Sequence, residues 1–350
     1  MTNEKRKKVR RHPAQKVTFG AKIKKSYRHK AEMHVAGSLR TRVGYSYSIK
    51  IIAGTHKGSG SSPREREMMT VFHEQSPSTL NAVADILSQA PSIKACYLRP
   101  HPTCCIFVSW NGCIVLVFDG FPPPLVQAKT RIENNSARLH LKEENFGSKW
   151  PKTTLGAVLD GADELSPEQF KTLKNICHKY SKKIIGDQPV SLDNGPASHG
   201  IKIATLSLVE YRQRGLEGLC EQIDVSLDDF TTNNYSHSDD VKEDSITSTP
   251  SEEEKSRVNS VISEWNNEEA YLPKVNAPGS RINSYRQVCN GCSCVAFIHS
   301  TLPKHIRSLL SEFRDAVDQA FPGRYGWLDE TSLHCTLRSL DGPAKQKNET

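Results

Sequence analysis

The dipeptide Asn111-Gly112 constrains this chain more than any other local feature. It separates two apolar, β-rich runs, "CCIFVSW" and "CIVLVFDG". A two-residue type I′ turn needs positive φ at both central positions, and Asn-Gly supplies both at little steric cost. The spacing therefore predicts an antiparallel hairpin that needs helices to cover a face. Helical patterns stand on both sides of it. "SPSTLNAVADILSQAP" puts Leu80, Val83, Ala84 and Leu87 on one face. "PPPLVQAKTRIEN" opens with prolines suited to a first helical turn and aligns Leu125, Ala128 and Ile132.

Downstream, "KWPKTTLGAVLDG" reads as a strand closed by Asp160-Gly161. "SPEQFKTLKNICHKY" carries every mark of a helix start: Ser166 as N-cap, Pro167 at the first position, and Gln169 completing a capping box. Its apolar stripe is Phe170, Leu173, Ile176, Cys177 and Tyr180. "GIKIATLSLVEY" alternates as one sheet strand. Residues 67–220 are thus expected to form one α+β domain.

Charge divides the rest. Residues 1–66 are expected to be a basic disordered arm, with Lys5, Arg6, Lys7, Lys8, Arg10 and Arg11 at its start and "GTHKGSGSSPRERE" as a flexible end. Such a cluster suits phosphate backbones or a nuclear address, and equally a solvated tail. Residues 221–285 hold Asp228, Asp229, Asp239, Asp240, Asp244, Glu252, Glu253, Glu254, Glu268 and Glu269, and read as an acidic disordered linker. A short helix around "SRVNSVISEWNNEE" interrupts it. Order resumes in 286–342: the strand "CSCVAFIHSTLP", a helix burying Ile306, Leu309, Leu310, Phe313, Val317 and Phe321, the turn "PGRYGW", and the strand "TSLHCTLRSL". Residues 343–350 are a polar tail. The overall expectation is an α+β chain of small antiparallel sheets with helices packed on one face.

No apolar run approaches the roughly 20 residues that cross a bilayer, so no membrane partner is expected. "MTNEKRKKVRRHP" has no apolar core for a secretory signal. The ten cysteines are accordingly read as reduced thiols of an intracellular protein, cytoplasmic or nuclear. An organelle leader fits "KRKKVRR" less well, since that run has no apolar face.

Chemistry concentrates in "GWLDETSLHCTLRSLDG". Strand alternation puts His334, Thr336 and Arg338 on one face and Leu333, Cys335 and Leu337 on the other. A histidine two residues before a threonine aims an imidazole and a hydroxyl at one phosphate: one moves a proton, the other donates a hydrogen bond. Arg338 would add a phosphate contact. The order strand, amphipathic helix, Trp327, Leu333-His334-x-Thr336-Leu337 across residues 292–342 resembles the opening lobe of the 2H phosphoesterase superfamily, which contains the LigT-like RNA 2′,3′-cyclic phosphodiesterases. A fainter resemblance over 95–220 lays "PKTTLG" on the family's second motif, with Lys152 where the histidine stands and Thr154 at the threonine.

The resemblance implies 2H-like half-lobes, RNA or nucleotide phosphodiesters as partners, and metal-free hydrolysis without a cofactor, one histidine as base and one as acid. A second histidine motif is therefore needed. Three sources are open. One is His299 and Thr301 in "HST". Another is a degenerate lobe in which Lys152, with an ordinary pKa near 10.4, binds phosphate without moving protons. The third, and the favoured one, is a second lobe absent from this chain. "CNGCSC" (Cys289, Cys292, Cys294) has zinc-knuckle spacing but no second ligand pair, so no metal is expected. Three functions compete: a cyclic phosphodiesterase, a non-catalytic RNA-binding adaptor using the basic arm, and an interaction protein of two small α+β modules.

Overall fold

The computed structural model describes residues 79–142, 144, 150–186, 200–228 and 248–341. The basic arm, including Lys5, Arg6, Lys7, Lys8, Arg10 and Arg11, and the tail 343–350 lie outside them. In chain order the elements are α1 (79–87), β1 (Cys96–Leu98), β2 (Ile106–Val108), β3 (Ile114–Val117), α2 (Pro123–Asn134), β4 (Lys152–Val158), α3 (Pro167–Ile185), β5 (Ile201–Ile203), β6 (Thr205–Gln213), β7 (Leu219–Ser226), α4 (Glu252–Ser263), α5 (Glu268–Asn276), α6 (Ile282–Arg286), β8 (Val288–Phe297), α7 (Lys304–Ala320), β9 (Tyr325–Trp327) and β10 (His334–Ser339). The fold is α+β, with antiparallel sheets and helices packed against them.

The hairpin forms. β2 and β3 pair antiparallel, with Val108 opposite Ile114. Asn111 (φ 61°) and Gly112 (φ 76°) both take positive φ. The turn is one residue wider than the two-residue type, spanning Trp110–Gly112 between Ser109 and Cys113, whose backbones bond at 2.7 Å. Tertiary bonds set that width: Asn111 Nδ2 donates to the carbonyls of Ala277 (3.2 Å) and Pro278 (3.1 Å), and Arg281 Nη1 donates to the Asn111 carbonyl (3.0 Å).

The helices follow their local signals. Ser166 and Gln169 complete the capping box of α3. Its Phe170, Leu173, Cys177 and Tyr180 are buried. Along α7 the buried face is Ile306, Leu310, Phe313 and Val317, and Phe313 packs edge-on to Tyr180 at 5.6 Å and Trp327 at 6.0 Å.

Sheet pairing departs from the expected division into modules. One four-stranded sheet runs β2-β3-β4-β9 and the other β10-β8-β6-β7. Each takes strands from both 67–220 and 286–342. "PGRYGW", expected as a turn, supplies β9, which pairs with β4 through Gly156↔Trp327 and Val158↔Tyr325. β8 lies between β6 and β10. Neither segment is a separate module, because each alone would leave a buried strand edge unpaired. One continuous apolar core runs under both sheets, from Ile106 and Leu116 to Cys294, Leu337 and Phe313. The single strand expected over 201–211 is two strands in different sheets: β5 pairs with β1, and beyond Ala204 β6 pairs with β7 and β8.

The described parts of the expected acidic linker, 221–228 and 248–285, belong to this fold. β7 occupies its start, and α4, α5 and α6 occupy 252–286. Glu252, Glu253 and Glu254 fill the first turn of α4 behind the N-cap Ser251, where the helix dipole favours negative charge. Arg257 pairs with Glu253 (3.0 Å) and Glu254 (2.6 Å). Trp265, Tyr271 and Val275 are buried, and the Trp265 ring lies 4.7 Å from Phe107. Acidic composition concealed an amphipathic pattern with few but large apolar residues. No described helix is long and apolar enough to cross a membrane, and all ten cysteines are free thiols.

Candidate functional site

β4 belongs to one sheet and β10 to the other, and the two strands pack side by side. Between them opens a cavity of about 360 Å³, lined on the β4 side by Trp150, Lys152 and Thr154 and on the β10 side by His334, Thr336, Ser339 and Asp341. Tyr211, Arg214 and Tyr285 also line it, with Ser293 and Val295 of β8. That volume falls in the range of about 300–1,000 Å³ typical of small-molecule sites. Alternation along β4 sends Lys152 and Thr154 to the cavity and buries Thr153 and Leu155.

His334 is held in one tautomer. Its Nδ1 lies 2.7 Å from the Ser332 carbonyl. A carbonyl only accepts, so Nδ1 carries the proton in the neutral ring and Nε2 keeps its lone pair. Burial lowers the imidazole's pKa below 6.5, an effect partly offset by the Ser332 bond. The ring is therefore a neutral base at pH 7.

Lys152 stands with its Nζ 4.4 Å from the centre of the Trp150 ring, a cation–π contact that orients the ammonium. The Tyr285 hydroxyl lies 3.6 Å from Cys113 Sγ, and burial keeps its phenol protonated. The Arg214 guanidinium covers the Tyr285 ring at 5.3 Å and Nη1 donates to Ser280 at 3.2 Å. Two cations, two threonines and a neutral imidazole thus face one space.

Arg338 does not join them. A β-bulge between Thr336 and Arg338 inserts Leu337: Thr336 pairs with Val295, Arg338 with Cys294 and Ser339 with Ser293. The extra residue reverses the alternation. Ser339 takes the cavity face and Arg338 turns to the other side, where it is 1% exposed. There its Nε donates to Glu133 (3.0 Å) and Nη2 to the Lys142 carbonyl (2.6 Å). The expected phosphate contact is a structural ion pair.

His299 and Thr301 are also not strand neighbours. β8 ends at Phe297, and both residues lie in the turn beyond it, where alternation no longer applies. The Thr301 hydroxyl donates to the Ile298 carbonyl at 3.4 Å. The His299 ring sits edge-on to Phe297 at 6.1 Å, as the His334 ring does, and neither His299 nor Thr301 lines the cavity. Cys292 and Cys294 are buried within β8, and among the described residues no group of His, Cys, Asp and Glu is placed to hold a metal ion.

The cavity's other end was not expected from the sequence. Asp341 Oδ1 accepts from the Cys292 backbone N–H (2.8 Å) and Oδ2 accepts from the Ser339 hydroxyl (2.7 Å). Burial, with Asp341 nearby, pushes the Tyr211 phenol up to about 12. Asp341 lies beyond the last apolar residue of β10, and only the bulge aligns it with the cavity. Trp150 was legible in principle only by its nearness to Lys152, since it lies two residues ahead of the start of β4. No family model matches this chain, and no curated protein or solved structure matches it.

Proposed function

We propose that this cavity binds the phosphate of an RNA or nucleotide phosphodiester in a 2H-phosphoesterase-like site whose second histidine is Lys152. The observation that carries the reading is that Lys152-x-Thr154 and His334-x-Thr336, from two different sheets, line one cavity. Lys152 and Arg214 neutralise the phosphate oxygens, and Thr154 and Thr336 donate hydroxyl hydrogen bonds. In hydrolysis of a 2′,3′-cyclic phosphate, His334 Nε2 takes the proton of an attacking water, a P–O bond forms and a ring P–O bond breaks. The leaving oxygen needs a proton that an imidazolium would have given and that here comes from solvent water. A lysine at that position favours binding over turnover, so the protein acts first as a phosphodiester-binding module and hydrolyses slowly.

The test is titration of the full chain with adenosine 2′,3′-cyclic phosphate, followed by product analysis. Binding that is lost in both Lys152→Ala and His334→Ala supports the reading, with slow release of a monophosphate only when His334 is intact. Undiminished binding in both variants, or none in the unaltered protein, overturns it.

A further inference from the structure

The phosphate-binding groups occupy only part of the cavity. Its Asp341 end presents a carboxylate, and no cation pairs with Asp341 among the described residues. An uncompensated carboxylate repels phosphate, so this end is built for another part of a ligand. Both carboxylate oxygens are fixed in direction, Oδ1 by the Cys292 N–H and Oδ2 by the Ser339 hydroxyl. Each retains a lone pair, and an ionised carboxylate only accepts. The complementary group is a pair of adjacent N–H donors.

Beside this acceptor pair stands an aromatic wall. Tyr211 lies over Gly291 so closely that a Cβ there would come within 2.5 Å of its ring and hydroxyl. The ring is thereby held in place. A flat heterocycle stacks on such a surface, as unpaired RNA bases stack on aromatic side chains. Thr336 pairs with Val295 and the Asp341 carboxylate accepts from the Cys292 N–H, three residues along β8; at a rise of about 3.3 Å per residue this is about 10 Å, comparable to the reach from a nucleotide's phosphate to its base edge.

The four bases differ in the edge they would offer. Guanine carries adjacent donors, N1–H and N2–H, matching a carboxylate in two parallel bonds. Adenine and cytosine set one amino donor beside a ring-nitrogen acceptor that a carboxylate repels. Uracil flanks its one N–H with two carbonyls. We infer that Asp341 and Tyr211 form a guanine-selecting subsite, which makes guanosine 2′,3′-cyclic phosphate or an RNA end terminating in guanosine the preferred ligand. The inference rests on the phosphodiester reading above.

The experiment titrates the full chain with the 2′,3′-cyclic phosphates of guanosine, inosine, adenosine and cytidine. Guanosine should bind at least tenfold tighter than the others, the discrimination a bidentate base contact supplies. Inosine, lacking only the N2 amine, should fall with the rest. Asp341→Asn should abolish the preference for guanosine over adenosine, since an amide offers one acceptor and one donor, and a circular dichroism melt matching that of the unaltered protein shows that the variant is folded. Equal binding of all four bases by the unaltered protein overturns the subsite and leaves the phosphodiester reading standing. A guanosine preference that survives Asp341→Asn overturns the role of Asp341. Failure of every cyclic nucleotide to bind overturns both.

Discussion

Arg338 Nε lies 3.0 Å from Glu133 Oε2, on the side of β10 that faces α2 and away from the cavity. The pair joins the last strand to a helix that lies some two hundred residues earlier. Arg338 is almost wholly buried, whereas the Glu133 side chain is 36% exposed. Arg338→Met should therefore destabilise the protein by about 3 kcal/mol, near the lower end for breaking a buried pair because Glu133 keeps partial hydration. It should leave the affinity for cyclic nucleotides unchanged. Denaturant midpoints and a binding isotherm on the same variant check both halves. Weakened binding with normal stability would restore Arg338 to the site.

The bulge at Leu337 illustrates what a sequence reveals and what it hides. The capping box of Ser166 and Gln169 is local, written within four residues, and it forms as read. The stripe Ile306-Leu310-Phe313-Val317 is likewise local. The pairing of β9 with β4 is not: no pattern near Trp327 specifies Gly156 as its neighbour, so two half-sheets looked like two modules. The alternation that placed His334 and Thr336 together held for two residues and then failed, because one inserted residue exchanged Arg338 for Ser339. Asp341 was invisible for the same reason. The short helix read around Val258 forms within α4, but the acidic composition hid that its segment packs into the core, because Trp265 and Tyr271 carry the burial.

That segment yields a second prediction. Trp265 is 2% exposed and packs on Phe107 at 4.7 Å, Phe170 at 6.5 Å and His178 at 5.2 Å. Trp265→Ala should cost about 3–5 kcal/mol, the usual range for removing a buried tryptophan. An unfolding midpoint unchanged by the substitution would mean that 248–286 folds independently of the sheets.

Gly291 sets a third. A Cβ at this position would overlap the Tyr211 ring at 2.5 Å. Tyr211 packs with Val209, Leu216 and Val295, so its displacement strains a small apolar cluster. Gly291→Ala should lower stability by about 1–3 kcal/mol, the cost of overpacking, and should selectively weaken guanosine among the cyclic nucleotides. Tyr211→Leu in the same background should recover stability without recovering the preference. Circular dichroism melts together with the nucleotide panel separate the two effects.

Stability should also depend on pH in a stated direction. Burial lowers the pKa of His334 below its ordinary 6.5 in the folded chain, and the same cause acts on His101 and His178. Between the folded and unfolded values the unfolded state binds more protons, so stability rises with pH there. It is fully present above about 6.5 and is lost as pH falls from there toward the folded values. His334→Gln removes one of the three contributions, so its midpoint should fall less steeply between about pH 7 and 5 than that of the unaltered protein. Parallel slopes would mean that His334 titrates normally.

The last prediction concerns Lys152. If its ammonium contacts a phosphate, Lys152→Gln should weaken cyclic-nucleotide binding by about ten- to a hundredfold, the worth of a charge-assisted hydrogen bond. Lys152→His should act differently. It places a second imidazole in the cavity facing His334, giving the leaving oxygen a proton donor that titrates near neutrality. Binding should weaken somewhat with the lost permanent charge, yet hydrolysis at pH 7 should rise by about a hundredfold or more, the typical gain from a positioned acid. The rise should vanish in the double variant with His334→Ala, since the new acid is useless without its base. Release of monophosphate from a 2′,3′-cyclic nucleotide, followed over a pH series, measures this directly. A bell-shaped profile is expected for Lys152→His, and a rate no higher than that of the unaltered protein would show that Lys152 and His334 do not address the same phosphate.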